Sequence, residues 1–230
     1  MTSLFRWTLH RPRSWRSPFD VVSRVLPDGS PTNRSSTKSR FASVCPTYAI
    51  CKIMNAFLSE PSGGYRAVVM TAALMRILGD GFSVFARVES QGVNEADATS
   101  GTPGDIMCYD KEGHMVLAVE VKDRSLTLAD VRASTRKAQE SDTALSGLLF
   151  ATPCILEQDR NTIQESMVAT WASGLNVYQA DIVDLARSAF VLLSEEWRPR
   201  LLRDIGNELD TRGDHEHRRA WHALLIQALS

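Results

Sequence analysis

Hydrophobic positions near the start of the chain recur at helical spacing, and farther on they form short continuous runs. The segments 48–58 and 65–78 carry apolar residues three and four positions apart. The second is apolar almost all round, which is typical of a buried helix. The apolar run 82–88 predicts a strand, and the polar segment 89–104 after it predicts a loop.

Two apolar runs joined by a short polar turn predict a β-hairpin. Its strands are residues 105–110 and 115–122, and the turn between them contains Gly113, which can adopt a positive φ. The run 116–121 is apolar enough to be buried. A hairpin in simple register places the start of its first strand beside the end of its second.

Helices and strands alternate after the hairpin. Thr127 and Asp130 form a capping-box sequence, so a helix is expected from there to about Glu140. We further predict a strand, a helix, a strand and a helical C-terminus with breaks near Pro199 and Gly213: 147–152, 157–173, 175–180 and 181–230. A meander followed by crossover helices predicts an α/β fold, in which helices flank both faces of a mixed central sheet.

Composition indicates a globular protein without a strong overall charge. The 230 residues are 43% hydrophobic and 23% charged, and the net charge is -1, so no global basicity indicates a nucleic-acid partner. No apolar run is long enough to span a membrane. Four scattered cysteines suit neither a zinc site nor a disulfide framework, which favours a reducing, cytoplasmic compartment. Cys108 and Cys154 are expected to be small core residues.

Residues 1–44 differ from the rest of the chain. They contain eight Arg or Lys and two Asp residues, a net charge of +6, which leaves -7 for the remainder. We predict a basic, loosely ordered N-terminal arm over 1–44 and a folded domain over 45–230. A poorly ordered terminus, an arm that binds DNA phosphates and an organelle transit peptide all fit this composition.

The predicted hairpin brings together Asp105, Glu120 and Lys122. Two carboxylates can hold a hard divalent cation, and a neighbouring lysine can orient water and offset developing negative charge, so the cluster suits phosphodiester hydrolysis. The alternative is a solvated strand face. Arg124 would contact a phosphate or pair with Asp123 or Asp105.

Arg132 and Arg136 lie on one face of the predicted helix. They would either bind phosphates or face solvent near Asp130 and Glu140. Trp171, Trp197 and Trp221 are expected to be core or dimer contacts.

The order of elements, with acids at the hairpin, resembles the core of the PD-(D/E)XK nuclease superfamily. Pro103-Gly104-Asp105 would be its leading motif and Glu120-Val121-Lys122 its second. Longer strings resemble the SacI-type restriction endonucleases over roughly residues 45–230; they are residues 62–74, 93–97, 104–106 and 118–124. The chain is short for that family, which leaves open a truncated or atypical start.

The resemblance implies a type II restriction endonuclease that cuts double-stranded DNA at a short palindrome with Mg²⁺. Asp105 and Glu120 would be metal ligands and Lys122 the catalytic lysine, and a palindrome implies a homodimer. Many members add an acid from the first core helix, which 65–78 lacks; the nearest acids are Glu60, Glu89, Glu95 and Asp97. The alternatives are a DNA-binding or regulatory module that has lost cleavage, and a purely structural domain.

Overall fold

The computed structural model describes residues 46–91, 102–141, 145–212 and 215–229. The predicted basic arm lies outside these ranges, as do Cys45, Glu95, Asp97 and Gly213. No helix of the described residues is long and apolar enough to cross a membrane.

Five strands of the described residues form one mixed sheet, as the sequence predicts. Their order in the sheet is the order in the chain: β1 (Arg87–Ser90), β2 (Ile106–Tyr109), β3 (Met115–Val121), β4 (Gly147–Ala151) and β5 (Asn176–Ala180). The first three strands form an antiparallel meander, and β4 and β5 then join in parallel. The predicted hairpin is therefore β2–β3, and Gly113 in its turn has a φ of 88°.

Helices precede the sheet, connect its parallel strands and form the C-terminus. The first two are α1 (Thr47–Leu58) and α2 (Tyr65–Phe82), and the two crossover helices are α3 (Leu128–Glu140) and α4 (Arg160–Trp171). The C-terminal part contains α5 (Ile182–Leu192), α6 (Trp197–Arg212) and α7 (His215–Leu229). The capping box is confirmed, because Thr127 and Asp130 exchange side-chain and backbone hydrogen bonds at the start of α3.

Both faces of the sheet are buried under helices. One face contributes Ala118, Leu148 and Phe150 to a core that includes residues of α3 and α4, namely Val131, Ala138 and Ile163. Side chains alternate between the faces of a strand, so the buried Val119, Val121, Leu149 and Ala151 point to the opposite face. On that face α2 contacts the sheet, and its Ala67 lines a cavity together with Val121 and Ala151.

Two predicted element boundaries are wrong. Helix α2 continues to Phe82, so the strand predicted from that residue begins only at Arg87. Glycine at position 81 serves close packing instead of ending the helix, since a Cβ there would clash with the side chain of Leu193. The break predicted near Pro199 is confirmed, because α5 ends at Leu192 and α6 begins at Trp197. Pro199 itself lies in the first turn of α6, where its missing N–H leaves no hydrogen bond unmade.

The predicted core positions of two residues are also corrected. Cys108 is fully buried as expected, and burial raises the pKa of its thiol to about 12. Cys154 is exposed, because it lies in the loop after β4 and not in the strand. Trp221 is a core residue, whereas Trp171 at the end of α4 is 63% exposed and cannot be a core contact of the described residues.

Candidate active site

Asp105 lies immediately before β2, where its carboxylate closes the β2–β3 hairpin. Its Oδ2 accepts a hydrogen bond of 2.8 Å from the backbone N–H of Val121, and its backbone carbonyl accepts one of 2.9 Å from Gln91. Gly104 allows this approach, because a Cβ there would lie 2.8 Å from the carbonyl oxygen of Val119. The register pairs Ile106 with Val119, so Asp105 lies level with Glu120.

Glu120 and Lys122 form an ion pair at the end of β3. The Nζ of Lys122 donates to Oε1 of Glu120 over 2.7 Å, and the two side chains are 26% and 15% exposed respectively. The backbone N–H of Lys122 donates to the carbonyl of Ala151 over 2.9 Å, which extends the β3–β4 ladder to this residue. Both backbone and side chain of Lys122 are therefore held beside the two carboxylates.

The pKa values of this pair follow from burial and from Asp105. Burial raises the pKa of Glu120, the negative charge of Asp105 raises it further, and the hydrogen bond from Lys122 offsets only part of this increase. Burial alone would lower the pKa of Lys122. The hydrogen bond to Glu120 and the charges of Glu120 and Asp105 outweigh burial, so the pKa of Lys122 is raised. Lys122 is thus a cation at neutral pH.

The segment after Lys122 is fixed to the start of α3 by Arg124. Its guanidinium donates two hydrogen bonds of 2.8 Å to the carboxylate of Asp130, the capping-box residue. Asp123 and Asp105, the partners suggested by sequence, are not the ones it uses. These hydrogen bonds and the charge of Arg124 hold the pKa of Asp130 well below the ordinary range of an aspartate.

Thr152 is a site residue that the sequence reasoning missed. It is 2% exposed at the end of β4, and its hydroxyl donates to the carbonyl oxygen of Arg124 over 2.7 Å. The backbone of the segment after Lys122 is therefore held by β4 as well as by α3. The sequence could have indicated this residue, because Thr152 directly follows a fully apolar predicted strand. A hydroxyl group buried there needs a hydrogen-bond partner.

The site lies at the edge of the sheet where the parallel strands β3, β4 and β5 end. Ligands of open α/β sheets bind in the crevice outside these carboxyl ends. A cavity of about 410 Å³ borders Lys122 at this edge. Its other walls come from α1, the end of β4 and the start of α5, and include Asn55, Thr152 and Asp181. Lys122 is the member of the cluster that lines this cavity; Asp105 and Glu120 are not among its walls.

Glu60 and Glu89, the two other acids considered from sequence that the structure describes, pair with arginines instead of joining this cluster. Glu60 pairs with the buried Arg66, with 2.7 Å between its Oε2 and the guanidinium, and Glu89 pairs with Arg87. No group of three or more His, Cys, Asp and Glu residues that could hold a metal ion occurs in the described residues. A cation at this site would therefore have two side-chain ligands from this part of the chain.

The donor set fits a hard divalent cation with a partly retained water shell. Carboxylate oxygens suit Mg²⁺, which usually binds proteins through one or two carboxylates and keeps several waters. Among the described residues, nothing donates a hydrogen bond to Oδ1 of Asp105 or Oε2 of Glu120. A cation there would also relieve the repulsion that raises the pKa of Glu120.

A comparison with known families gives a match that contains Asp105, Glu120 and Lys122. The family model of the SacI restriction endonuclease C-terminal domain matches residues 42–152. The matched segment runs from just before α1 to just after β4. No curated protein matches the chain. Asp105, Glu120 and Lys122 therefore lie in a segment that is similar to the SacI restriction endonuclease C-terminal domain.

Proposed function

We propose that this chain is a type II restriction endonuclease of the PD-(D/E)XK superfamily, which uses Mg²⁺ to hydrolyse phosphodiester bonds of double-stranded DNA at a short palindromic site. The observation that carries this proposal is the cluster of Asp105, Glu120 and Lys122 at the end of β3. Its members lie at the start of β2 and the end of β3, inside the segment that matches a restriction endonuclease family.

Each residue of the cluster has a distinct part in the proposed reaction. Asp105 and Glu120 would hold Mg²⁺ through the oxygens that accept no hydrogen bond from described residues. When bound, Mg²⁺ polarises a phosphoryl oxygen and acidifies a bound water. Lys122 is protonated at rest, so it orients the attacking water and offsets the negative charge that develops on the phosphoryl group.

The proposed enzyme acts as a homodimer, because a palindromic site has two-fold symmetry and each subunit would cut one strand. Exposed apolar side chains on α4 and on the edge strand β5 support an interface there: Val168, Trp171 and Tyr178. The two elements pack against each other, so these side chains lie on neighbouring parts of the surface.

Digestion of DNA of known sequence with Mg²⁺, followed by mapping of the ends, tests the proposal. We expect discrete fragments from the unaltered protein. Lys122→Ala should slow cleavage by at least about 10²-fold, as loss of a preorganised electrostatic group does elsewhere. Its binding to DNA in Ca²⁺ should persist, because both carboxylates remain.

Lys111→Ala is the matched control, since Lys111 is an exposed lysine in the turn at the other end of the same hairpin. It should cut normally. Cleavage by Lys122→Ala at the unaltered rate would remove Lys122 from the mechanism. Metal-dependent DNA binding without any cleavage would favour an inactive DNA-binding module, and no stabilisation by metal would favour a structural domain.

A further inference from the structure

Helix α3 carries three basic side chains on its exposed side, within the helix that follows the candidate active site. Arg132, Arg136 and Lys137, here called the α3 strip, are all exposed, whereas Val131, Ser134 and Ala138 face the core. By sequence alone, Asp130 and Glu140 could neutralise these cations in an ordinary solvated face. The ion-pair partners of Asp130 and Glu140 in the structure distinguish a neutralised face from one that is free to bind phosphates.

Asp130 cannot neutralise the strip, because its carboxylate is already used. Both of its oxygens accept from Arg124, and one of them also accepts from the backbone N–H of Thr127. Glu140, at the end of the helix, is within ion-pair distance of none of the three cations. In the described part of the chain, the α3 strip therefore has positive charge that no carboxylate compensates.

The shape of the helix suits an extended anionic partner. Arg132 and Arg136 lie four residues apart, which is roughly 6 Å along the axis. DNA carries a phosphate every 3.4 Å along each strand, so the two guanidinium groups can follow one backbone over roughly two phosphates. Ala129 and Ala133 are exposed on the same side of the helix and add no bulk that would keep a duplex away.

The strip lies on a helix whose N-terminus is fixed next to the candidate active site. Side chains on a helix lean toward its N-terminus, and the N-terminus of α3 is fixed to the segment after Lys122 by the Arg124–Asp130 pair. The positive charge of Lys137 is also among the smaller influences on Glu120, where it opposes the increase in pKa. Lys137 is thus the member of the strip whose charge reaches Glu120.

We propose that the α3 strip binds the phosphate backbone of double-stranded DNA and holds the duplex over the carboxylate pair, an inference that rests on the proposed function. Residues 45–230 carry a net charge of about -7, so a duplex needs locally concentrated positive charge to approach them. The contact is to phosphates and not to bases. It positions the DNA without selecting its sequence.

The test is the salt dependence of duplex DNA binding by the full chain in Ca²⁺. The double variant Arg132→Ala/Arg136→Ala should bind more weakly. The slope of log K against log salt should fall in magnitude by about 2, because each lost phosphate contact removes about 0.9. The loss should be the same for DNA with and without the cleavage site, because phosphate contacts carry no sequence information.

Two controls make the result specific to the strip. Arg132→Lys/Arg136→Lys keeps the charges and should keep the slope, whereas Lys111→Ala removes a distant exposed charge and should leave both slope and affinity unaltered. An unaltered slope in the double alanine variant overturns the inference while cleavage by the unaltered protein upholds the proposed function. An equal loss in Lys111→Ala also overturns it, and a wild-type protein that binds no duplex DNA overturns both.

Discussion

At the scale of single residues, the side chain of Glu120 is less exposed than that of its partner Lys122, 15% against 26%. It is partly buried, it faces Asp105, and only Lys122 compensates its charge with a hydrogen bond. In the metal-free protein two negative charges therefore share one site with a single cation. Two neighbouring negative charges repel each other when no metal is bound. The pKa of Glu120 in the metal-free protein is therefore a direct measure of this repulsion.

We predict that carbon NMR of the metal-free protein gives Glu120 a pKa above the ordinary glutamate value. Asp105→Asn should lower the pKa of Glu120 by removing a neighbouring negative charge, and Lys122→Met should raise it. Because the raised pKa belongs to the folded state, this group's contribution to the free energy of unfolding falls as the pH rises from the ordinary carboxyl range through the raised pKa. A pKa of Glu120 that does not respond to Asp105→Asn would contradict the geometry.

The proximity of the site residues could be predicted from sequence, but their partners could not. A hairpin in simple register makes neighbours of Asp105 and Glu120, and alternation places Glu120 and Lys122 on one face. Asp130 as the partner of Arg124 depends on how the segment after β3 turns into α3. That path is also fixed by Thr152 from β4, a contact between residues 28 positions apart.

At the scale of elements, the β2–β3 hairpin acts as a device that holds Asp105 against the end of β3. The carboxylate can reach this position only if the backbone before β2 approaches β3 closely. Gly104 permits the approach because it has no side chain. We predict that Gly104→Ala costs about 1–3 kcal/mol of stability, as overpacking typically does. It should also reduce cleavage strongly, because the backbone must move away from Val119 and carry Asp105 with it.

Gly113→Ala is the matched control in the turn of the same hairpin. Its φ of 88° is unfavourable for alanine, but no atom lies within 4 Å of the added Cβ. It should cost about 1–2 kcal/mol through strain alone and leave cleavage intact below the melting temperature. Thermal melts and cleavage rates of both variants check this. If Gly104→Ala loses no more activity than Gly113→Ala, then Gly104 has no particular part in placing Asp105.

Most elements were predictable because their signals are local. The buried helix, the capping box and the hairpin turn each follow from residues a few positions apart, and the structure confirms all three. The end of α2 was not predictable in this way. Gly81 leaves room for Leu193, more than 100 positions away, to pack against the last turn of α2. Contacts at such distances leave no local signal.

At the scale of the whole molecule, the topology explains why the chemistry is at one edge of the sheet. The meander delivers Asp105 and Glu120 to the end of β3, and the parallel crossovers place the ends of β4 and β5 beside them. The sequence predicted this mixed sheet because hairpin spacing and helical crossovers are both visible in it. The dimer interface and the target site of the proposed enzyme depend on partners, and a single chain does not encode them as a pattern.

The charge distribution along the whole chain leads to a prediction about residues 1–44. With a net charge of +6 and no periodic pattern, this segment is expected to add non-specific DNA affinity at most. A shortened protein starting at Ala42 keeps the entire segment that matches the restriction endonuclease family. It should fold, cut the same site at the same rate under saturating DNA, and bind with a weaker salt dependence. Mapped fragment ends, cleavage rates and binding at several salt concentrations measure all three. If the shortened protein melts cooperatively yet cuts elsewhere or not at all, the basic segment takes part in site choice or chemistry, and the predicted boundary near residue 45 is wrong.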